Sequence, residues 1–143
     1  MVGIGREPSA AGPRRGDIHF VDFGDQGGHV IRGPHPALVI QTNRLQRSST
    51  VIVAPMTSSA RAAEYAPPFL VPVAARESGL PRDGWIKCDQ PTTLPTALLG
   101  PRVGRLNPTG LDRLDAALRF VQELGNRPAR AKATLRPAVS SDS

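Results

Sequence analysis

The sequence predicts a small, mainly β domain with a single helix at its C-terminal end. Three observations carry this expectation. Fifteen prolines and fourteen glycines in 143 residues suit short strands and frequent turns, because proline cannot donate to a ladder and glycine permits positive φ. Between these breakers run short, apolar, β-branched segments. Near the end, one stretch repeats apolar residues three and four apart behind a helix-start signal.

The elements follow in order. Residues 1–13 are rich in Pro, Gly and Ala without a period and read as a flexible leader. Asp17 to Phe23 alternates as a strand with both faces partly covered. Gly24 to Pro36 is a long loop. Ala37 to Ile40 and Thr50 to Thr57 are continuous apolar runs of the kind buried on both faces. Pro55 cannot hold a ladder centre, so the second run must bulge or reach an edge there. Phe69 to Val73, Trp85 to Cys88 and Leu98 to Leu106 add short strands, two of them interrupted by proline. Asn107 is a helix N-cap and Pro108 fits the first helical position. Leu111, Leu114, Leu118, Val121 and Leu124 form one apolar stripe, and Gly125 is placed to close it in a left-handed cap. Residues 127–143 read as a disordered, basic tail. The sum is a small, strongly bent sheet or barrel with a helix docked on it.

Composition narrows the function. No apolar run reaches membrane-spanning length, and the N-terminus lacks an apolar stretch of signal-peptide length. One cysteine, Cys88, excludes an intrachain disulfide and reads as a buried small hydrophobe; together these place the chain in the cytoplasm. The net charge is +6, yet residues 15–125 carry twelve Lys/Arg against ten Asp/Glu. The excess sits in the terminal segments, where it reads as solvation. One Cys and three His do not make a usual four-ligand zinc site, so no metal is expected. No phosphate-cradling loop and no nucleophile elbow appear either.

The order of segments then becomes recognisable. "RRGDIHFVDFG", a Gly-rich loop, "HPALVIQTN" and "STVIVAPMTSS", followed by "CDQPTTLP" and "VGRLNPTGLDRLDAALRFVQEL", resemble the MazF/PemK toxins of bacterial toxin–antitoxin systems. The resemblance covers residues 14–126 and leaves out the leader and the tail. It implies an SH3-like β-barrel (CcdB/MazF-like) with a C-terminal helix, and a homodimer. It also implies cofactor-free, metal-independent cleavage of single-stranded RNA, and an antitoxin partner. The family reads Gly-Ser-Glu and then Arg-Pro before the second strand, where this chain reads Gly28-His29-Val30 and then Pro34-His35-Pro36. The family's catalytic arginine therefore falls on His35, its serine on His29 and its glutamate on Val30. Its threonine is retained as Thr57.

RNA cleaves itself when its 2′-hydroxyl loses a proton and the 5′-oxygen gains one. A protein assists with a base, an acid and a cation. Histidine serves as acid or base near neutral pH, and arginine stabilises phosphate oxygens through paired donors. The expected catalytic set is His35, Thr57, Arg32 and His29, with Arg32 taking the cationic role. Arg15, Arg32, Arg44, Arg47, Ser58 and Ser59 are the expected RNA contacts. His19 reads as structural, Trp85 as a core or interface anchor, and Asp89 with Gln90 as structural, at a dimer interface. Two rival functions stay open. One is a toxin of the same barrel that binds a protein such as DNA gyrase and cleaves nothing; the other is a catalytically impaired paralogue that binds RNA or antitoxin.

Overall fold

A computed structural model describes residues 12–25, 27–28, 31–59, 64 and 68–125. Most of the expected leader, His29 and the expected tail lie outside these residues. The described chain forms β1 (Asp17–Asp22), β2 (Pro34–Val39), a 3-10 turn (Asn43–Leu45) and β3 (Thr50–Thr57). There follow β4 (Leu70–Val73), a one-turn helix α1 (Ala75–Ser78), β5 (Gly84–Lys87) and β6 (Thr92–Pro95). A second 3-10 turn (Thr96–Leu98), β7 (Arg102–Arg105) and helix α2 (Pro108–Gln122) complete it. The strands make one antiparallel sheet in the order β4-β5-β3-β2-β1-β7, with β6 also paired to β3. The sheet curls into a half-barrel with the C-terminal helix packed on it.

Strand alternation sorts the apolar side chains into two clusters, because successive residues face opposite ways. Ile18, Leu38, Ala54, Met56, Val71, Val73 and Ile86 meet Leu114 and Ala117 of α2. Val21, Phe23, Ala37, Val39, Val51, Val53 and Leu94 form the cluster on the other face. Leu114 is fully buried; truncating such a side chain costs about 2–5 kcal/mol. Gly104 of β7 has no side chain for a reason: a Cβ there would collide with the Ser78 carbonyl of α1.

Pro55 shows how a proline sits inside a strand. The Ile40 amide donates to the Ile52 carbonyl, so alternation makes Ala37–Pro55 a pair without ladder bonds to β2. The missing N–H of Pro55 points to the other side of β3. There the partner changes, from β6 along Thr50–Val53 to β5 at Met56–Thr57. The strand therefore reaches a local edge at Pro55, as the sequence requires.

The helix begins as expected, with Asn107 Oδ1 accepting from the Gly110 amide at 2.8 Å. Its end differs. The left-handed residue is Glu123, at φ 57°, rather than Gly125. Leu124 therefore leaves the stripe and is exposed. The expected strand from Leu98 is shorter, since residues 96–98 coil into a 3-10 turn and leave Leu98 exposed. β6 and α1 carry no apolar pattern of their own, and sequence reading misses both.

Candidate functional site

Strand register puts His35 and Thr57 on the same face of the sheet. His35 lies in β2, paired with Val21 of β1 and flanked by Pro34 and Pro36. The β2–β3 ladder runs Val39–Val53, Leu38–Ala54 and Ala37–Pro55, then stops. It stops because the next hydrogen-bonded pair would need an amide proton from Pro36, which has none. Continued two residues further, the same register sets His35 opposite Thr57. Both fall on the face of Ala37, Val39, Val51 and Val53 by alternation. Thr57 turns instead to β5, where Trp85 is its partner.

The polar atoms at this open end are not engaged with one another. Among the described residues, the half-buried His35 ring makes no hydrogen bond. Thr57 Oγ1 accepts from the Ser59 amide at 3.1 Å, which leaves its hydroxyl proton to donate elsewhere. Ser58 and Ser59 are exposed beside it. Arg32 stands in the loop before β2, 63% exposed, with Asp25 at 3.5 Å. A pair this exposed contributes little and releases easily. The loop base is set by Phe23 and Gly33, bonded backbone to backbone at 2.9 Å, with Gly33 at φ 77°.

Gln90 holds the far side of that loop. Its Oε1 accepts from the Ile31 amide at 2.9 Å, and Ile31 is buried. Sequence reading takes Gln90 as structural, at a dimer interface. The structure gives it a definite task inside one protomer, fixing the residue next to Arg32. The cue was the Asp-Gln pair itself, but nothing in the sequence ties position 90 to position 31. His19 has the structural role expected of it: its Nδ1 lies 2.9 Å from the Gly100 carbonyl, an acceptor, so the ring donates there. Its Nε2 is buried without a partner.

The remaining expected contacts lie elsewhere. Arg15 is committed to the scaffold. Its Nε donates to the Ile40 carbonyl at 3.0 Å and one terminal nitrogen meets Asp115 of α2 at 2.9 Å. Arg44 and Arg47 are exposed in the connection before β3. They stand at the opposite end of β3 from Thr57, roughly 20 Å away at ~3.3 Å per residue. Burial pushes the Cys88 thiol up to about 12, aided by nearby Asp89, so it stays protonated and inert. Among the described residues no group of three His, Cys, Asp or Glu is placed to hold a metal ion, and no helix is long and apolar enough to cross a membrane.

Comparison with known proteins places this geometry in context. A family profile described as PemK-like, MazF-like toxin of type II toxin–antitoxin system matches residues 14–121. Endoribonuclease EndoA of Bacillus subtilis is 33% identical over 108 residues, covering 75% of this chain and 91% of its own. A probable endoribonuclease MazF of Mycolicibacterium smegmatis is 35% identical over 105 residues, covering 73% and 92%. Among solved structures, MazF from Deinococcus radiodurans superposes with a TM-score of 0.65 at 21% identity, over 78% of this chain and 97% of that one. A mycobacterial endoribonuclease in complex with its cognate antitoxin gives 0.64 at 24% identity, over 79% and 97%. At these identities the structures establish the shared fold.

Proposed function

This chain belongs to the PemK-like, MazF-like toxins of type II toxin–antitoxin systems, and from that premise we propose that it is an endoribonuclease cutting single-stranded RNA without a metal. The two relatives named above carry endoribonuclease names. The single observation that supports the reading for this chain is that His35 and Thr57 share one sheet face just beyond the last β2–β3 pair. The ladder does not continue between them, and among the described residues the His35 ring and the Thr57 hydroxyl proton have no partner.

In this reading an RNA strand lies across the open end of β2 and β3. His35, standing where the family keeps an arginine, moves a proton to or from the reacting oxygens. The 2′-hydroxyl loses its proton and attacks phosphorus; the bond to the 5′-oxygen breaks and that oxygen takes up a proton. The products are a 2′,3′-cyclic phosphate and a 5′-hydroxyl. The Thr57 hydroxyl donates to a phosphate oxygen, and Arg32, freed from Asp25, offsets the charge of the phosphorane. His29 is the second proton-transfer group of the proposal. Its partners are single-stranded RNA, a second copy of the chain and a cognate antitoxin, met in the cytoplasm.

The test is direct. Pure protein is incubated with a long single-stranded RNA in EDTA and the fragment ends are mapped. Discrete cuts with 5′-hydroxyl ends are expected. Intact RNA together with inhibition of DNA gyrase would transfer the chain to the non-nucleolytic class. Intact RNA with tight antitoxin binding would mark an impaired paralogue.

A further inference from the structure

Trp85 is the only tryptophan of the chain, and the structure does not bury it in either apolar cluster. It is half-buried on β5, directly opposite Thr57. Opposed residues of an antiparallel pair project from the same face with Cβ atoms about 4.5–5.5 Å apart, so the indole borders the proposed reaction site. Gly84 beside it has no side chain, and a Cβ there would sit 3.0 Å from the Thr57 carbonyl. On the other side of the indole, β4 supplies Pro72, which is exposed and paired with Trp85. Pro72, Gly84 and Trp85 line an open groove of about 410 Å³, within the roughly 300–1,000 Å³ typical of small-ligand clefts; Thr57 lies beyond its rim.

The polar edge of the groove has a distinct character. Glu77 and Asp83 line it together with Arg113. Both Glu77 oxygens are occupied by Arg113, at 3.0 and 3.2 Å, and one also accepts from the Ala74 amide. Asp83 Oδ1 accepts from the Ala75 amide at 2.8 Å, which fixes the carboxylate and leaves Oδ2 open in an exposed residue. Two carboxylates against one already paired arginine repel phosphate. An indole and a proline ring beside a fixed acceptor suit a nucleobase that offers an exocyclic amine, since carboxylates accept from such amines and every base has a π-face for an aromatic ring.

We propose that this groove is a nucleobase subsite, in which a base next to the scissile phosphate stacks on Trp85 and donates its exocyclic amine to Asp83. It favours adenine, cytosine or guanine over uracil, which has no such amine. The proposal rests on the chain acting on RNA, as argued above.

The single indole makes its own probe. The full chain is titrated with 2′-O-methyl oligonucleotides of A, C or U, which lack the attacking hydroxyl, while Trp85 emission and the anisotropy of a dye on the oligonucleotide are both read. Saturable quenching is expected with A and C, with U at least about fivefold weaker, and Asp83→Asn should level that preference. Trp85→Leu should slow cleavage of natural RNA by roughly five- to 150-fold, the usual loss of one stacked base, with 5′-hydroxyl ends unchanged. Anisotropy changes with no change in Trp85 emission would overturn the subsite, as would identical binding of A, C and U. Quenching by oligonucleotides without cleavage of natural RNA would leave the subsite standing and remove the catalytic reading. No binding of any oligonucleotide would remove both.

Discussion

The two ends of the β2–β3 pair differ in how their polar groups are used. At the end where β2 finishes and β3 begins, several polar side chains are held in hydrogen bonds. Arg15 bridges the Ile40 carbonyl and Asp115, and its amide meets Asn43. Gln41 donates to the Leu45 and Thr50 carbonyls, and Gln46 to the Gly12 carbonyl. At the other end Pro36 stops the ladder, and among the described residues the His35 ring and the Thr57 hydroxyl proton are left unengaged. Both ends carry arginines and hydroxyls, so residue type alone does not separate them. Satisfaction does: one end holds the helix to the sheet, and the other holds groups ready for a ligand.

That contrast fails most visibly if chemistry does not respond to the open end. His35→Ala and Thr57→Ala should each lower RNA cleavage at least tenfold, a floor set below the ~10²–10⁴-fold that acid–base assistance is worth. Their urea midpoints should stay close to that of the wild type. Equal cleavage rates in the folded variants would erase the distinction. The converse applies at the closed end. Arg15→Ala should cost about 1–2 kcal/mol of stability, because the Asp115 carboxylate and the Ile40 carbonyl lose their donor. The rate per folded molecule should hold, as read by urea melts beside cleavage assays.

Smaller effects sharpen the picture. Asn107→Ala should destabilise by about 1 kcal/mol through loss of the helix cap, with no change in cut sites. Glu77 is held below the ordinary carboxylate range by the Ala74 amide and by Arg113. A lowered folded value means its contribution is complete above the unfolded value and is lost as pH falls through the folded one. Glu77→Gln should therefore flatten the acid limb of stability below about pH 4.5, and a limb that keeps its slope would remove Glu77 from it. Smallest of all, Arg44→Gln with Arg47→Gln should leave kcat unchanged. If these arginines touch a strand extending from the site, the pair lowers the salt slope of RNA binding by about 0.7 for each phosphate contact.

Much of the fold was legible because it is local. The run from Thr50 to Thr57 is a strand over its whole predicted length, since β-branched residues and flanking polar segments leave no other reading. The cap at Asn107 needs only its own three neighbours. The misses are non-local. Gly125 was the natural terminator by residue type, but the helix closes two residues earlier at Glu123. Thr92–Pro95 is polar and bounded by proline, and becomes a strand only because β3 presents an edge to it. The site divides the same way. His35 and Thr57 could be named from a resemblance and their positions, whereas Pro36 ending the ladder before them, and Thr57 turning to Trp85 instead, could not. Arg15 looked available because Asp115, a hundred residues away, could not be placed beside it. Nothing in the sequence shows that Pro72, thirteen residues before Trp85, pairs with it.

The rims of the sheet carry one last consequence. Strand β4 has Pro72 at its centre, β6 ends on Pro95, and β7 bears Arg102 and Arg105. Proline and cationic side chains on outer strands discourage a foreign backbone from zipping on. On these rims, strand-to-strand association between copies of the chain is disfavoured.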